Sequence, residues 1–307
     1  MVRAKPFVRK MGITWGKEND RMSEFNERKE DVTMNENVGC RLPNLDEEDS
    51  ALAQKYTDWA QDMVEKDFAE RIFCAIDTSD LDRAKTLALG LAGSVGGIKA
   101  GFEFFSAHGP AGVRELKQTG LPLFLDLKLF DIPNTVAGAI GAAAACQPAM
   151  ITLHASGGRA MMRAAVEANR RVAEELEQVL PLLLGVTVLT SFDQNELGET
   201  GINSSVGEQV LLLAELAQTS GLDGVVCSAH EIEALRSVCG EEFKLVVPGI
   251  RPTWAKRDDQ KRIVTPVEAV ARGADYLVIG RPISAAADPG AAARRISAEI
   301  ADSMVSA

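Results

Sequence analysis

The feature that most constrains the fold of this chain is the alternation of short apolar runs with stretches of helical spacing along residues 71–307. Strands that helices cover on both faces are apolar throughout, whereas amphipathic helices repeat apolar residues every three or four positions. The alternation therefore predicts eight strand–helix units. We expect strands at Ile72–Ile76, Gly97–Ala100, Leu121–Leu125, Met150–Leu153, Leu182–Leu189, Gly224–Cys227, Lys244–Val247 and Tyr276–Ile279.

The helices that follow these strands are predicted from the same spacing. We expect them at Leu81–Leu91, Gly112–Gln118, Thr135–Ala145, Arg159–Val179, Val206–Gln218, Pro266–Arg272 and Ala291–Ile300, with one more starting at Glu231. Eight parallel units of this kind, over about 250 residues, are typical of the (β/α)₈ or TIM barrel. A doubly wound open sheet is the alternative, but no GxGxxG follows the first strand.

The first 66 residues differ in composition from the rest of the chain. Residues 16–32 are dense in charge and poor in branched apolar side chains, which is typical of disordered or loosely attached segments. The predicted organisation is an N-terminal extension at residues 1–66 and a barrel domain at residues 67–307. Met22, Met34 and Met63 also offer alternative start sites within or near this extension.

Charge and composition exclude several classes of partner. The formal net charge of the 307-residue chain is −11, which argues against a nucleic-acid binder. No apolar run is long enough to span a membrane, and the N-terminus lacks the apolar core of a signal peptide. We therefore expect no nucleic-acid and no membrane partner.

Cysteine and histidine usage bears on the compartment and on metals. The five cysteines are scattered without a CxxC pair, which favours reduced thiols in the cytoplasm over a disulfide framework. The three histidines lie far apart in the sequence, so a histidine-rich metal site is not expected. The cysteines are Cys40, Cys74, Cys146, Cys227 and Cys239, and the histidines are His108, His154 and His230.

Charged residues, and one threonine, recur where the predicted strands end. In a (β/α)₈ barrel the carboxyl ends of the strands form one face, and the active site lies there. Any one of these residues could be an ordinary surface residue, but their shared position on that face predicts a functional cluster. The residues are Asp77, Lys99, Asp126, Lys128, Asp131, Thr190, Arg251 and Arg281.

The third strand carries the strongest of these signals. Its apolar run leads directly into Asp126 and Lys128, whose side chains point to the same side because successive side chains alternate along a strand. Opposite charges at the end of an otherwise apolar strand are costly to bury. The pattern therefore predicts a functional ion pair rather than an incidental one.

A phosphate site is predicted at the ends of strands seven and eight. The segments 247–252 and 278–282 each place a glycine close to an arginine, Arg251 and Arg281. Glycine lets backbone N–H groups approach an anion, and arginine supplies a forked donor. Gly280 and Arg281 are the leading candidates. The polar segment 253–264 is expected to close over the phosphate as a lid, with Gln260 reaching in.

The lysines and aspartates together suggest a mechanism. If Lys99, Asp126, Lys128 and Asp131 alternate in space, each charge has an opposite neighbour that favours the charged form. A protonated Lys128 is a poor Schiff-base nucleophile and a good general acid. An anionic Asp126 would repel a substrate carboxylate, and the ammonium group would stabilise and protonate the carbanion left when that carboxylate departs as CO₂.

These residues resemble a known family of enzymes. The stretch Asp126-x-Lys128-x-x-Asp131-Ile-Pro-Asn-Thr135 is similar to the signature of orotidine 5′-phosphate decarboxylases, in particular their bacterial short form. The resemblance covers about residues 71–303 and follows the family's order. Supporting segments are Ala75-Ile-Asp77, Ile98-Lys99, residues 154–158, 186–191, 221–228, 248–252 and 279–283.

The resemblance implies an activity and a set of catalytic residues. It implies decarboxylation of orotidine 5′-phosphate to UMP, the last step of de novo UMP synthesis, without a metal or organic cofactor. Lys128 would donate the proton to C6 of the pyrimidine, and Asp126 would face the departing carboxylate. Lys99 and Asp131 would complete the charge network.

The resemblance also implies substrate-binding residues and a partner subunit. It implies a homodimer with shared active sites, in which Asp131 and Thr135 enter from the other subunit. Asp77 and Lys99 would hold ribose hydroxyls, and Thr190 would contact the pyrimidine edge. The 5′-phosphate would be bound by Arg251, Gln260, Gly280 and Arg281.

Three other interpretations remain open from the sequence. A Mg²⁺-dependent sugar-phosphate decarboxylase or aldolase on the same barrel shares the DxKxxD pattern, although residues 131–135 speak against it. A Schiff-base aldolase is less consistent with charge-paired lysines. A non-catalytic protein that binds UMP would keep the phosphate site and show no turnover.

Overall fold

The computed structural model describes residues 64–255 and 264–306, and the described chain forms a closed eight-stranded barrel. Every strand pairs in parallel with its sequence neighbour, and the first strand pairs with the last. The predicted (β/α)₈ architecture is confirmed. The strands are β1 (Ile72–Ile76), β2 (Gly97–Ala100), β3 (Leu123–Leu129), β4 (Met150–His154), β5 (Leu182–Val186), β6 (Gly224–Val226), β7 (Lys244–Pro248) and β8 (Tyr276–Ile279).

Helices surround the barrel and follow the strands in chain order. Residues 64–70 are helical and precede β1, and a 3₁₀ turn at Ala155–Gly157 follows β4. The helices after β1 are α1 (Leu81–Gly90), α2 (Phe102–Lys117), α3 (Pro133–Ala144), α4 (Gly158–Glu175), α5 (Gln194–Glu199), α6 (Val206–Thr219), α7 (Ile232–Cys239), α8 (Pro266–Ala271), α9 (Arg281–Ser284) and α10 (Pro289–Ser306).

The strands are apolar because both of their faces are covered. All five residues of β1 are buried, and they divide between two packed clusters. Phe73 belongs to a small cluster that includes Phe124 and Tyr276, with ring centroids 6.3 and 5.7 Å from Phe73. Ile72 and Ile76 belong to the larger cluster shared with the helices. This alternation places the small cluster inside the barrel and the large one beneath the helices.

Several elements differ in their bounds from the sequence prediction, and three of these differences have a structural reason. β3 begins and ends later than expected, at Leu123 and Leu129, so it includes the charged residues. β5 ends at Val186 rather than Leu189, because residues 187–190 leave the sheet. α2 begins at Phe102, because Gly109, with φ +54°, joins two helical segments and Pro110 starts the second. The short helices α5 and α9 were not predicted.

The helix at residues 64–70 belongs to the barrel by its packing. Phe68 is 1% exposed, and Val64 packs against the same large core cluster. The predicted extension at residues 1–66 falls almost entirely outside the described residues. Along the described ranges, no helix combines the length and the hydrophobicity that a membrane crossing requires.

Candidate active site

The charged end of β3 is built on an irregular stretch of the sheet. Leu125 pairs with Ile151 and Leu129 with Leu153, so three residues of β3 lie opposite one residue of β4. Lys128 adopts a φ of +48° within this bulge. That left-handed conformation costs a residue with a side chain about 1–2 kcal/mol. The surrounding contacts therefore hold Lys128 in a backbone geometry that a regular strand would not give.

Four charged side chains from three strands meet above the bulge. The Lys128 ammonium lies 2.7 Å from Asp126 Oδ1. The Lys99 ammonium, from β2, lies 3.5 Å from Asp126 Oδ2 and 3.6 Å from Oδ1 of Asp77, which follows β1. The side chains of Lys99 and Asp126 are only 12% and 13% exposed. The order in space is therefore Asp77, Lys99, Asp126 and Lys128, with alternating charge.

Asp126 is held in its ionised form against the cost of burial. Burial alone would raise the pKa of its carboxyl group, but the charges of Lys99 and Lys128 lower it, and hydrogen bonds from Lys128 and Thr152 lower it further. The net result is a pKa below the ordinary value. The cluster thus presents a carboxylate and two cationic side chains at the same point of the barrel.

Thr152 is a member of this cluster that the sequence analysis did not identify. It lies on β4 opposite the bulge and is fully buried. Its hydroxyl donates to Asp126 Oδ1 at 3.0 Å and accepts the backbone N–H of Lys128 at 2.9 Å. No local pattern in an apolar strand indicates such a role, because the partners lie more than twenty residues earlier in the chain.

His154 ends β4 beside the cluster and also received no role from the sequence. Burial lowers the pKa of its imidazole, the nearby charge of Lys128 lowers it further, and Asp126 acts in the opposite direction. The ring packs edge-on against Phe130, with centroids 5.7 Å apart. The imidazole therefore favours its neutral form next to the ammonium group of Lys128.

A cavity of about 180 Å³ opens onto the charged cluster. One side carries Lys99, Asp126 and Lys128, and the rest is largely apolar. Thr190 contributes from the segment that follows β5, as the sequence analysis expected. The polar groups thus face a small, mostly apolar space. The other lining residues are Phe124, Val186, Val188, Leu189, Val226, Cys227, Pro248 and Val278.

The residues predicted to bind phosphate lie after β7 and β8. Arg251 is 5% exposed, and its backbone N–H donates to the carbonyl of Val264 at 3.2 Å. Arg281 is exposed at the first position of α9, next to Gly280. A Cβ added at Gly280 would lie 3.9 Å from Asp77 Oδ2, which places this turn beside the charged cluster. Gln260 lies outside the described residues.

Asp131 and Thr135 are not part of the cluster within one chain. Both are exposed, and Asp131 accepts the backbone N–H of Ile132 through its own Oδ1 at 2.6 Å. Phe130 and Ile132 beside them are 62% and 67% exposed. The segment between β3 and α3 therefore presents two large apolar side chains and a carboxylate to solvent.

No group of three or more His, Cys, Asp or Glu side chains within residues 64–255 and 264–306 is arranged to hold a metal ion. The charged groups that line the cavity are Lys99, Asp126 and Lys128, and Thr190 lies beside them. Cationic and anionic groups fixed at the carboxyl ends of barrel strands, around a small apolar cavity, define the active site of a (β/α)₈-barrel enzyme.

The family within this class follows from comparison with known proteins. The model of the orotidine 5′-phosphate decarboxylase / HUMPS family matches residues 70–296. The chain belongs to this family. The match spans the barrel from the end of the helix before β1 into α10, and it includes every residue of the charged cluster.

Named relatives and a solved structure agree with this assignment. Orotidine 5′-phosphate decarboxylase of Paramagnetospirillum magneticum is 54% identical over 229 residues, which are 75% of this chain and 97% of the relative. That of Rhodospirillum rubrum is 55% identical over 230 residues, 75% of this chain and 93% of the relative. The crystal structure of the Lactobacillus acidophilus enzyme shares 35% identity and a TM-score of 0.66, covering 75% of this chain and 98% of that one.

Proposed function

We propose that this protein decarboxylates orotidine 5′-phosphate to UMP and CO₂, the last step of de novo pyrimidine nucleotide synthesis. The observation that carries the proposal is the buried ion pair of Asp126 and Lys128, joined by Lys99 and open to the cavity, in a chain of this family. The enzyme is accordingly a carboxy-lyase.

The charged cluster accounts for the chemistry without a cofactor. The bond between C6 and the carboxyl carbon breaks, and its electron pair stays on C6. Lys128 then donates a proton from Nζ to C6, and its amine regains a proton from solvent. Asp126 faces the departing carboxylate, so the loss of CO₂ removes a repulsion between two anions. The fixed ammonium groups of Lys128 and Lys99 stabilise the carbanion electrostatically.

The rest of the substrate is bound along the same face of the barrel. We assign the ribose hydroxyls to Asp77 and Lys99, and the pyrimidine edge to Thr190. The 5′-phosphate is assigned to Arg251, Gln260, Gly280 and Arg281. Support comes from the position of Gly280 next to Asp77, which brings the turn after β8 to the ribose end of the site. Binding of the phosphate would supply stabilisation of the transition state at the distant base.

A homodimer with shared active sites completes the proposal. Asp131 and Thr135 are exposed, and the ion pairs of Lys99 and Lys128 within the described chain are made with Asp77 and Asp126, not with Asp131. Phe130 and Ile132 flank Asp131 with exposed apolar surface of the kind that subunit interfaces bury. We infer that this segment crosses the interface and places Asp131 and Thr135 in the partner's site.

The proposal also assigns a domain and a compartment. We place the catalytic domain at residues 67–307, with residues 1–66 as an extension, because the family match begins at residue 70. We propose a cytoplasmic enzyme whose partners are its substrate and a second copy of the chain. Four free, buried cysteines favour a reducing compartment, namely Cys74, Cys146, Cys227 and Cys239.

The direct test is the conversion of orotidine 5′-phosphate by purified full-length protein in the presence of excess EDTA. The loss of substrate absorbance and the formation of UMP are followed together. Conversion under these conditions supports the proposal. Absence of conversion by a folded protein that binds UMP contradicts it in favour of a non-catalytic protein. Activity on a sugar phosphate that requires added Mg²⁺ contradicts it in favour of the metal-dependent relatives.

A further inference from the structure

We propose that Thr152 is a positioning residue for the decarboxylation, because its hydroxyl fixes Asp126 and the backbone of Lys128 in their catalytic geometry. The inference rests on the proposed function and adds a residue to its machinery. Thr152 is not among the residues that line the cavity, so it acts through the two β3 residues that it bonds, Asp126 and Lys128.

The position of Thr152 follows from the bulge in β3. Between the pairs Leu125–Ile151 and Leu129–Leu153, it is the single β4 residue opposite three residues of β3. Ile151 and Leu153 pack in the cluster beneath the helices, so Thr152 points to the barrel interior. The side chain that faces the bulge from β4 is therefore the threonine hydroxyl.

The directions of the two hydrogen bonds are fixed by their chemistry. The backbone N–H of Lys128 can only donate, so the threonine oxygen accepts it at 2.9 Å. An ionised carboxylate can only accept, so the hydroxyl hydrogen is directed to Asp126 Oδ1 at 3.0 Å. The same Oδ1 also receives the Lys128 ammonium at 2.7 Å. Asp126 is thus connected to Lys128 in two ways. Its carboxylate contacts the Lys128 ammonium directly, and Thr152 links the same carboxylate to the backbone N–H of Lys128.

Burial makes this bridge stiff. Thr152 is fully buried and β-branched, so few rotamers are open to it. The irregular pairing of β3 and β4 leaves the backbone N–H of Lys128, the residue with a positive φ, without a regular sheet partner. The Thr152 hydroxyl accepts this N–H instead. Without the hydroxyl, the Lys128 amide would lose its partner, and Asp126 would be held only by the flexible ammonium side chains of Lys99 and Lys128.

Loss of the hydroxyl also changes the charge state of Asp126. The groups that face its carboxylate are Lys99 from β2, Lys128 from its own strand and His154 from β4, with Asp77 beyond Lys99. Against the cost of burial, the hydrogen bond from Thr152 is one of the contributions that lower the pKa of Asp126. Its removal shifts that pKa upward, so the acid limb of the pH–rate profile moves to higher pH.

The test uses two pairs of variants that differ in one hydroxyl. Thr152→Val removes the hydroxyl and keeps the shape of the side chain. Thr152→Ser and Thr152→Ala differ from each other only in the hydroxyl and repeat the comparison if the valine variant fails to fold. Thr187→Val is the matched control, because it removes another buried threonine hydroxyl, which donates to the carbonyl of Val226 at 3.2 Å.

Turnover of orotidine 5′-phosphate, UMP binding and the pH–rate profile are measured for each protein beside the unmodified chain. We expect kcat to fall about 10- to 100-fold in Thr152→Val while UMP binding changes less than about 3-fold. The acid limb is expected to move up in Thr152→Val and Thr152→Ala, and to stay in place in Thr152→Ser and Thr187→Val.

Three outcomes decide between the inference and its rivals. An unchanged kcat in Thr152→Val overturns the inference while leaving the decarboxylase assignment intact. An equal loss in Thr152→Ser and Thr152→Ala, with no shift of the acid limb, also overturns it, because the site then needs only the volume of the threonine. Absence of turnover in the unmodified chain would instead refute the proposed function.

Discussion

Lys128 and Asp126 form a 2.7 Å ion pair within one strand, although Lys128 holds a positive φ that no regular strand contains. Simple alternation along β3 predicts that the two side chains share a side, and they do meet. The bulge, however, changes how the pair is held, because the β4 residue opposite it contributes a hydrogen bond to each partner. The geometry of this charged pair is therefore determined by two strands.

Mixed dimers test whether Asp131 acts across the subunit interface. Lys128→Ala and Asp131→Ala are each expected to be nearly inactive alone. When the two are mixed and allowed to exchange subunits, half of the dimers are heterodimers with one restored site of two. Activity is then expected to recover to about a quarter of that of the unmodified enzyme, measured by initial rates after reassociation.

The matched control mixes two single variants whose substituted residues both belong to the cluster of one subunit. Lys128→Ala mixed with Lys99→Ala is expected to recover no activity, because Lys99 and Lys128 both contact Asp126 of their own chain. Failure of the first mixture to recover, although subunit exchange is demonstrated, would show that Asp131 serves its own chain.

Arg281→Ala is expected to weaken the phosphate end of the site. A charge-assisted hydrogen bond to phosphate contributes about 1.5–3 kcal/mol, so kcat/KM for orotidine 5′-phosphate falls about 10- to 100-fold. Activity toward the nucleoside orotidine, which has no phosphate, is expected to change little. Arg171→Ala is the control, since Arg171 is exposed and pairs with Glu175 on the outer surface. An unchanged kcat/KM for the phosphorylated substrate would remove Arg281 from the site.

The free energy of unfolding is expected to depend on pH through the buried carboxyl group of Glu231. Burial raises the pKa of Glu231 to about 7, although its carboxylate accepts the Ser228 N–H at 2.8 Å. Between pH 4.5, the ordinary value, and about 7 the folded state keeps a proton that the unfolded state has lost. The contribution of this group to stability therefore declines as pH rises through that window, by about 3 kcal/mol in total.

Glu231→Gln isolates this contribution, because the amide oxygen can still accept the Ser228 N–H. The free energy of unfolding in urea is measured at pH 5 and at pH 8. The stability of the variant relative to the unmodified protein is expected to be higher at pH 8 than at pH 5. Glu233→Gln changes an exposed residue in the first turn of α7, the helix that Glu231 directly precedes, and is expected to show no such difference. Parallel pH profiles for Glu231→Gln and the unmodified chain would contradict the assignment.

The barrel and the charged pair were predictable because both follow from short-range patterns. Apolar strands alternate with helical spacing eight times, and Asp126 and Lys128 end one apolar run. The early end of β5 was not predictable, since Thr187, Val188 and Leu189 are residue types that favour a buried strand. Val188 and Leu189 instead leave the sheet and line the cavity beside Thr190.

Thr152 escaped prediction for a different physical reason. A threonine between Ile151 and Leu153 suits any buried strand, and its hydrogen-bond partners are brought to it only by the pairing of β3 with β4. The kink in α2 is similar. Gly109 and Pro110 indicate a break, yet the fold continues the helix on both sides of it because Phe104 and Leu116 are both buried against the barrel.

The turnover of orotidine 5′-phosphate by the unmodified chain and by Lys128→Ala, side by side with EDTA present, tests the central claim most directly. Lys85→Ala is the control, because Lys85 forms an ion pair of the same 2.7 Å length, with Glu115, outside the barrel. The unmodified chain and Lys85→Ala are expected to produce UMP, while Lys128→Ala binds UMP and is slower by at least about 10²-fold. Turnover by Lys128→Ala at the rate of the unmodified chain would contradict the account.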